Sequence, residues 1–105
     1  MELEKKKCVP CESGGEPMSQ SEAKKYLKKI NGWKLKAKKI EREFKFKDFK
    51  KAMDFVNKVA EIAEQEGHHP DFTIHYNKVI LDFWTHSMNG LSENDFIMAA
   101  KINKI

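Results

Sequence analysis

The sequence predicts an α+β fold in which helices pack on one face of a four-stranded antiparallel sheet, in the order α-β-β-α-β-β-α. Two observations support this prediction: three apolar stripes of helical period, and two pairs of short stretches in which apolar and polar residues alternate. The 105 residues are expected to form one domain. We divide the chain into a flexible leader, residues 1–17, and a folded domain, residues 18–105.

The first helix is predicted to begin at the capping box Ser19-Gln20-Ser21-Glu22 and to stop near Gly32. Alternation is loose in the stretch that follows, and it indicates two strands at about 33–38 and 41–47, with a turn between them.

The second helix is predicted to begin after Asp48, which can accept a hydrogen bond from the first turn, and to run to about Glu66. Gly67 suits the left-handed position that ends many helices. His68 and His69 therefore follow a helix C-terminus, where the helix dipole favours a protonated imidazole by about 0.3–1 kcal/mol.

The second strand pair, FTIHY and VILDFWTH, is expected to form a hairpin around the loop Asn77-Lys78. That loop would place Tyr76 opposite Val79, so that paired residue numbers sum to 155: Phe72 meets Phe83, Ile74 meets Leu81 and Thr73 meets Asp82. Carried outward, the same register brings His86 opposite His69. The last helix is predicted to begin at Ser92, with Asp95 three residues later completing a capping box.

Composition argues against two classes of partner. The net charge is +4 and the pI is about 9.0, yet Arg42 is the single arginine, and base and phosphate recognition favour arginine. A nucleic-acid partner is therefore not expected. No apolar run approaches the roughly 20 residues that span a bilayer. Since the start also lacks the apolar core of a secretory signal, we expect a cytoplasmic protein without a membrane partner.

The leader contains the motif Cys8-Val-Pro-Cys11, which suits a redox pair or half of a zinc site. A closed zinc site needs four ligands, and the chain has no second cysteine pair. A mobile tail is the preferred interpretation, and oxidation or metal binding shared between subunits stays open.

His68, His69 and His86 form the candidate site, because grouped imidazoles suit proton transfer near neutral pH. Three carboxylates are candidates to orient an imidazole: Glu64, Asp71 and Asp95. Three histidines could instead hold zinc with an open position, although no H-x-H or H-x-x-x-H spacing places two rings on one face. The remaining alternative is that they are polar surface residues at a hairpin end.

The combination A-E-x-x-G-H-H-P-D-F, Y-N-K-V, W-T-H and G-L-S-x-x-D resembles the signature of the pterin-4a-carbinolamine dehydratases, from about Ser19 to the C-terminus. The resemblance implies a hydro-lyase that converts 4a-hydroxytetrahydropterin to quinonoid dihydropterin in pterin recycling. It implies no metal and no organic cofactor, a small-molecule pterin substrate, and a homodimer or homotetramer.

The resemblance also implies roles for individual residues. Catalysis would fall to His68, His69 and His86, and our hypothesis is that His68 and His86 are the acid–base pair while His69 positions the pterin. Phe72 stands where animal members often have tryptophan, which keeps an aromatic ring. The substrate site would comprise Glu64, Pro70, Phe72, Thr85, Ser87 and Asp95.

Two further functions remain as alternatives. Some animal members also bind a homeodomain transcription factor, so the chain could be a protein-interaction or coactivator module. A pterin-related role in molybdopterin metabolism is the other alternative.

Overall fold

The computed structural model describes residues 2–9 and 16–105. Its elements confirm the predicted class and order: α1 Gln20–Leu27, β1 Lys34–Lys36, β2 Lys39–Lys45, α2 Phe49–Glu66, β3 Asp71–His75, β4 Lys78–Phe83 and α3 Glu93–Ile102. The four strands form one antiparallel sheet in the order β1-β2-β4-β3. Single 3-10 turns cover Leu3–Lys5 and His86–Met88.

Side-chain caps set the helix boundaries. The Ser19 hydroxyl accepts the Glu22 backbone N–H at 3.2 Å, and an Asp48 carboxylate oxygen accepts the Lys51 N–H at 2.9 Å. Gly67 has a φ of 69°, so α2 ends as predicted in the left-handed conformation. α1 ends at Leu27, five residues before the predicted stop near Gly32.

The core lies between the sheet and the helices. On α2, the buried residues recur at helical spacing, whereas α3 is buried around almost its whole circumference. The largest apolar side chains that are essentially inaccessible to solvent are Phe83, Phe96, Ile30, Ile40, Leu81, Ile97, Met98 and Ile102. Because α3 lies so deep, its first residues can present polar groups to a shielded site.

The hairpin register differs from the predicted one. His75 pairs with Lys78, Ile74 with Val79 and Phe72 with Leu81, so paired numbers sum to 153 and the predicted sum of 155 is wrong. The loop is therefore Tyr76-Asn77, with Tyr76 at φ 48°. A register shift of two residues leaves each side chain on the face of the sheet that was predicted for it.

Asn77 accounts for this register. Its side-chain amide donates to the Phe46 carbonyl at 3.0 Å, and its own carbonyl accepts the Phe46 N–H at 2.8 Å. These contacts fix Asn77 to the end of β2, so that Lys78 enters β4. Asp82 then pairs with Asp71, and His86 lies in a 3-10 turn beyond β4 instead of opposite His69.

Residues 3–9, which we call the N-terminal strap, lie against α3. Leu3 is buried in the core, and the Lys101 ammonium donates to the Glu4 carbonyl at 2.8 Å. The division into leader and domain stays a prediction, and Cys11 lies outside the described residues. Within residues 2–9 and 16–105, no helix is long and apolar enough to cross a membrane.

Candidate active site

A cavity of about 610 Å³ lies where the end of α2, the start of β3, the end of β4 and the start of α3 meet. All three predicted histidines line it, and so do Pro70, Thr85 and Ser87. The other three predicted residues lie outside the lining: Asp95 behind His68, Glu64 on the exposed side of α2, and Phe72 on β3. The hairpin and two helix ends therefore bring the histidines together, although the predicted register does not hold.

Asp95 supports His68 from behind the cavity. Its Oδ1 lies 2.6 Å from His68 Nε2, and the residue has no exposed surface. Its Oδ2 accepts from the Thr85 hydroxyl and from the Ser92 backbone N–H, each at 2.9 Å. With both oxygens held, the carboxylate favours the tautomer that carries hydrogen on Nε2. Nδ1 is then the imidazole nitrogen that can accept a proton.

Two neighbours fix the orientation of this pair. The His68 ring lies nearly parallel to the Phe83 ring, at 10° and 6.0 Å between centroids. The Ser92 hydroxyl lies 2.7 Å from Thr85 Oγ1, and since the Thr85 hydrogen is used on Asp95, Ser92 is the donor in that contact. His68 is thus held by packing and by a chain of hydrogen bonds.

His69 has a different environment. Its Nε2 lies 2.6 Å from Glu64 Oε2, and both side chains are exposed. Glu64, one of the three candidate carboxylates, therefore contacts a histidine, and that histidine is His69. An exposed pair of this kind contributes little to stability because water screens it.

His86 lies on the 3-10 turn after β4, with its ring 3.9 Å from the Trp84 ring centroid. The Lys38 ammonium lies over the Trp84 ring, 4.6 Å from its centroid, within cation–π range. Trp84 was not among the site residues that the sequence predicted. Its position in the cavity wall, together with Cys8, Val9 and Asn94, was missed.

A tight loop presents His86 to the cavity. Thr85 and Gly90 form an isolated antiparallel bridge, with the Thr85 N–H donating to the Gly90 carbonyl at 2.7 Å. A Cβ at Gly90 would lie 2.5 Å from Pro17 Cβ, so the position requires glycine. The segment that precedes α1 therefore packs directly against this loop.

Next to the cavity, three carboxylates lie in a row across β3, β4 and β2, on the face of the sheet away from the helices. Asp71 lines the cavity and pairs across strands with Asp82, which pairs in turn with Glu41. Burial raises the pKa of Asp82 to about 6, and the adjoining Glu41 carboxyl adds to the increase. Asp82 Oδ1 has no hydrogen-bond partner; the Lys39 ammonium lies 3.8 Å from it, which is an ion pair without a hydrogen bond.

A larger depression of about 860 Å³ lies at another part of the surface, beside the C-terminal end of α3. Arg42 and Asn103 line it, and they are already hydrogen-bonded to each other at 2.6 Å. Asn103 also accepts from the Trp33 indole at 2.9 Å. These polar groups are already engaged in contacts that join β2 to the end of α3. The histidine cavity is therefore the better candidate site, although its volume is smaller.

In residues 2–9 and 16–105, no group of three or more His, Cys, Asp or Glu side chains is arranged to hold a metal ion. The cavity contains three imidazoles, a group that can donate and accept protons: His68 has a buried carboxylate behind it, and the other two have separate neighbours.

Together the fold and the cavity define a small α+β protein with a histidine-lined site suited to acid–base chemistry. Residues 16–105 match the family described as pterin 4 alpha carbinolamine dehydratase. The chain belongs to this family of hydro-lyases.

Similar proteins agree with this assignment over nearly the whole chain. Proteins named "Putative pterin-4-alpha-carbinolamine dehydratase" are 45% identical in Alkaliphilus metalliredigens and 46% in Nitrosospira multiformis, covering 97% and 99% of this chain and 94% and 92% of theirs. A solved structure, a transcriptional coactivator/pterin dehydratase from Brucella melitensis, is 38% identical with a TM-score of 0.81. That likeness covers 85% of this chain and 97% of the Brucella chain.

Proposed function

We propose that the chain dehydrates a 4a-hydroxytetrahydropterin to the quinonoid dihydropterin and water, in pterin recycling. Family membership supports the reaction class. The observation that carries the proposal is the convergence of three histidines on one cavity, with the buried Asp95 carboxylate 2.6 Å from His68.

The reaction needs one proton delivered and one removed. The bond between C4a and the hydroxyl oxygen breaks, and that oxygen leaves as water after it has gained a proton from a general acid. A base takes the proton from the adjacent ring nitrogen, whose electron pair forms the new double bond to C4a. No net proton is consumed, so two imidazoles of opposite protonation state are sufficient.

Within this scheme, His68 is the base and His86 is the acid. The Nε2 of His68 faces Asp95, which leaves Nδ1 to accept the ring proton, and the carboxylate stabilises the imidazolium that forms. His86 lies against Trp84 on its own turn, away from that carboxylate network. His69, more exposed and held by Glu64, positions the pterin.

Steady-state kinetics of the three single alanine variants, with a chelator present, test these roles. Loss of His68 or His86 is expected to lower kcat by about 10²–10⁴-fold, the usual contribution of a positioned acid or base. His69→Ala is expected to raise KM and leave most of kcat. The assignment fails if His69→Ala alone abolishes turnover.

We also propose that the chain forms a homo-oligomer through the edge of β3. This strand lies at the edge of the sheet, and Phe72 and Ile74 remain 37% and 38% exposed, with Tyr76 beyond them at 67%. Exposed apolar edges favour strand pairing with a second chain. Light scattering after size exclusion should give a dimer or tetramer, and Ile74→Lys should shift it to the monomer; a monomeric wild type refutes the proposal.

A further inference from the structure

The N-terminal strap borders the histidine cavity. Cys8 and Val9 line the same cavity as His68 and His86. The match to the family begins at residue 16, so the strap precedes the matched region. A segment outside that region thus contributes to the surface that a ligand meets.

Asn94 holds the strap at Val9 by two hydrogen bonds. Its Oδ1 accepts the Val9 N–H at 3.0 Å, and its Nδ2 donates to the Val9 carbonyl at 2.7 Å. The Asn94 side chain is buried, with 3% of the residue exposed. A buried amide needs partners for both of its polar atoms, and the Val9 backbone supplies them. The contact therefore fixes the position of Val9 relative to α3.

Glu66 provides a second attachment. Its Oε1 accepts the Cys8 N–H at 2.8 Å. Glu66 is the last residue of α2, two residues before His68, and Asn94 immediately precedes Asp95. The two helix ends that position the His68–Asp95 pair therefore also position the strap.

We propose that Val9 is a specificity-determining residue for the pterin and that Asn94 is the positioning residue that holds it; this inference rests on the proposed function. Val9 presents an apolar side chain that is 67% exposed and borders the cavity. The reacting carbon must lie at the histidines, so Val9 contacts a part of the ligand remote from the chemistry. The strap thereby favours pterins that carry an alkyl substituent on the ring over unsubstituted pterin.

Equilibrium binding of unreactive 6-methylpterin and unsubstituted pterin, followed by tryptophan fluorescence, tests this inference in the full chain. Asn94→Ala removes both hydrogen bonds to Val9. Val9→Pro removes the backbone N–H that donates to Asn94 Oδ1 and leaves the α3 sequence unchanged. Each is expected to weaken 6-methylpterin binding about tenfold and unsubstituted pterin about twofold. In turnover assays, KM should rise by about the same tenfold factor while kcat stays within about twofold of wild type. Lys7→Ala, on the strap but outside the cavity lining, is the control and should change neither.

Three results would overturn the inference. If both variants keep wild-type affinity and KM, the strap does not contribute to pterin binding, and the proposed dehydratase function is unaffected. A fall in kcat and in unfolding stability at unchanged KM would assign Asn94 a merely structural role. A wild-type chain that neither binds these pterins nor turns over the 4a-hydroxytetrahydropterin would overturn the proposed function, and the inference with it.

Discussion

Replacement of Asp82 by asparagine should change how the stability of the fold depends on pH. The native pKa of Asp82 is about 6, against an ordinary value of 3.8, because the carboxyl is buried beside Glu41. The folded chain therefore binds more protons than the unfolded chain between these two values. Its unfolding free energy falls as the pH rises through this interval.

The size of the effect follows from the two pKa values. A difference of about two units, at 1.36 kcal/mol per unit, corresponds to at most about 3 kcal/mol. This stability is fully present below pH 3.8 and is lost as the pH rises through about 6. Asp82→Asn cannot ionise, so it should gain up to about 3 kcal/mol relative to wild type between pH 4 and pH 7.5.

Urea unfolding followed by tryptophan fluorescence at pH 4 and pH 7.5 measures this gain. Asp54→Asn, at an exposed position on α2, controls for the loss of one negative charge. If the stability difference between Asp82→Asn and wild type is the same at both pH values to within about 0.5 kcal/mol, Asp82 does not titrate as its burial requires.

Two further predictions concern the site and the helix that leads to it. Asp95→Asn should lower kcat about 10–100-fold with a smaller effect on KM, because the amide cannot stabilise the His68 imidazolium; equal kcat values in a steady-state assay would contradict this. Gly67→Ala should destabilise the chain by about 1 kcal/mol in urea unfolding, since its φ of 69° strains any side chain although no neighbour lies within 4 Å. Unchanged stability would show that the α2 terminus relaxes.

The sequence predicted the helix boundaries that are set by capping residues within one turn of the helix end. Asp48 and Gly67 define α2 to the residue, and Ser92 with Asp95 marks the start of α3, because each cap acts within one turn of helix. The alternation in the hairpin also identified the correct faces.

Interactions distant in sequence account for what the sequence did not predict. The hairpin register follows from the contacts of Asn77 with Phe46, 31 residues away. The attachment of Val9 to Asn94 spans 85 residues, and no local pattern indicates it. For the same reason, the partner of His68 could be named only as one of three candidates, until the fold brought Asp95 within 2.6 Å.

The Asp95 carboxylate makes two kinds of contact: it hydrogen-bonds to the His68 ring, and it accepts the Ser92 N–H at the start of α3. Fraying of that first helical turn would release the carboxylate and leave the imidazole without its support. Local opening of a few residues would therefore abolish the activity of the site while the sheet remained folded. Amide hydrogen exchange in the first turn of α3 should accordingly report the inactive fraction of the native ensemble, well before global unfolding.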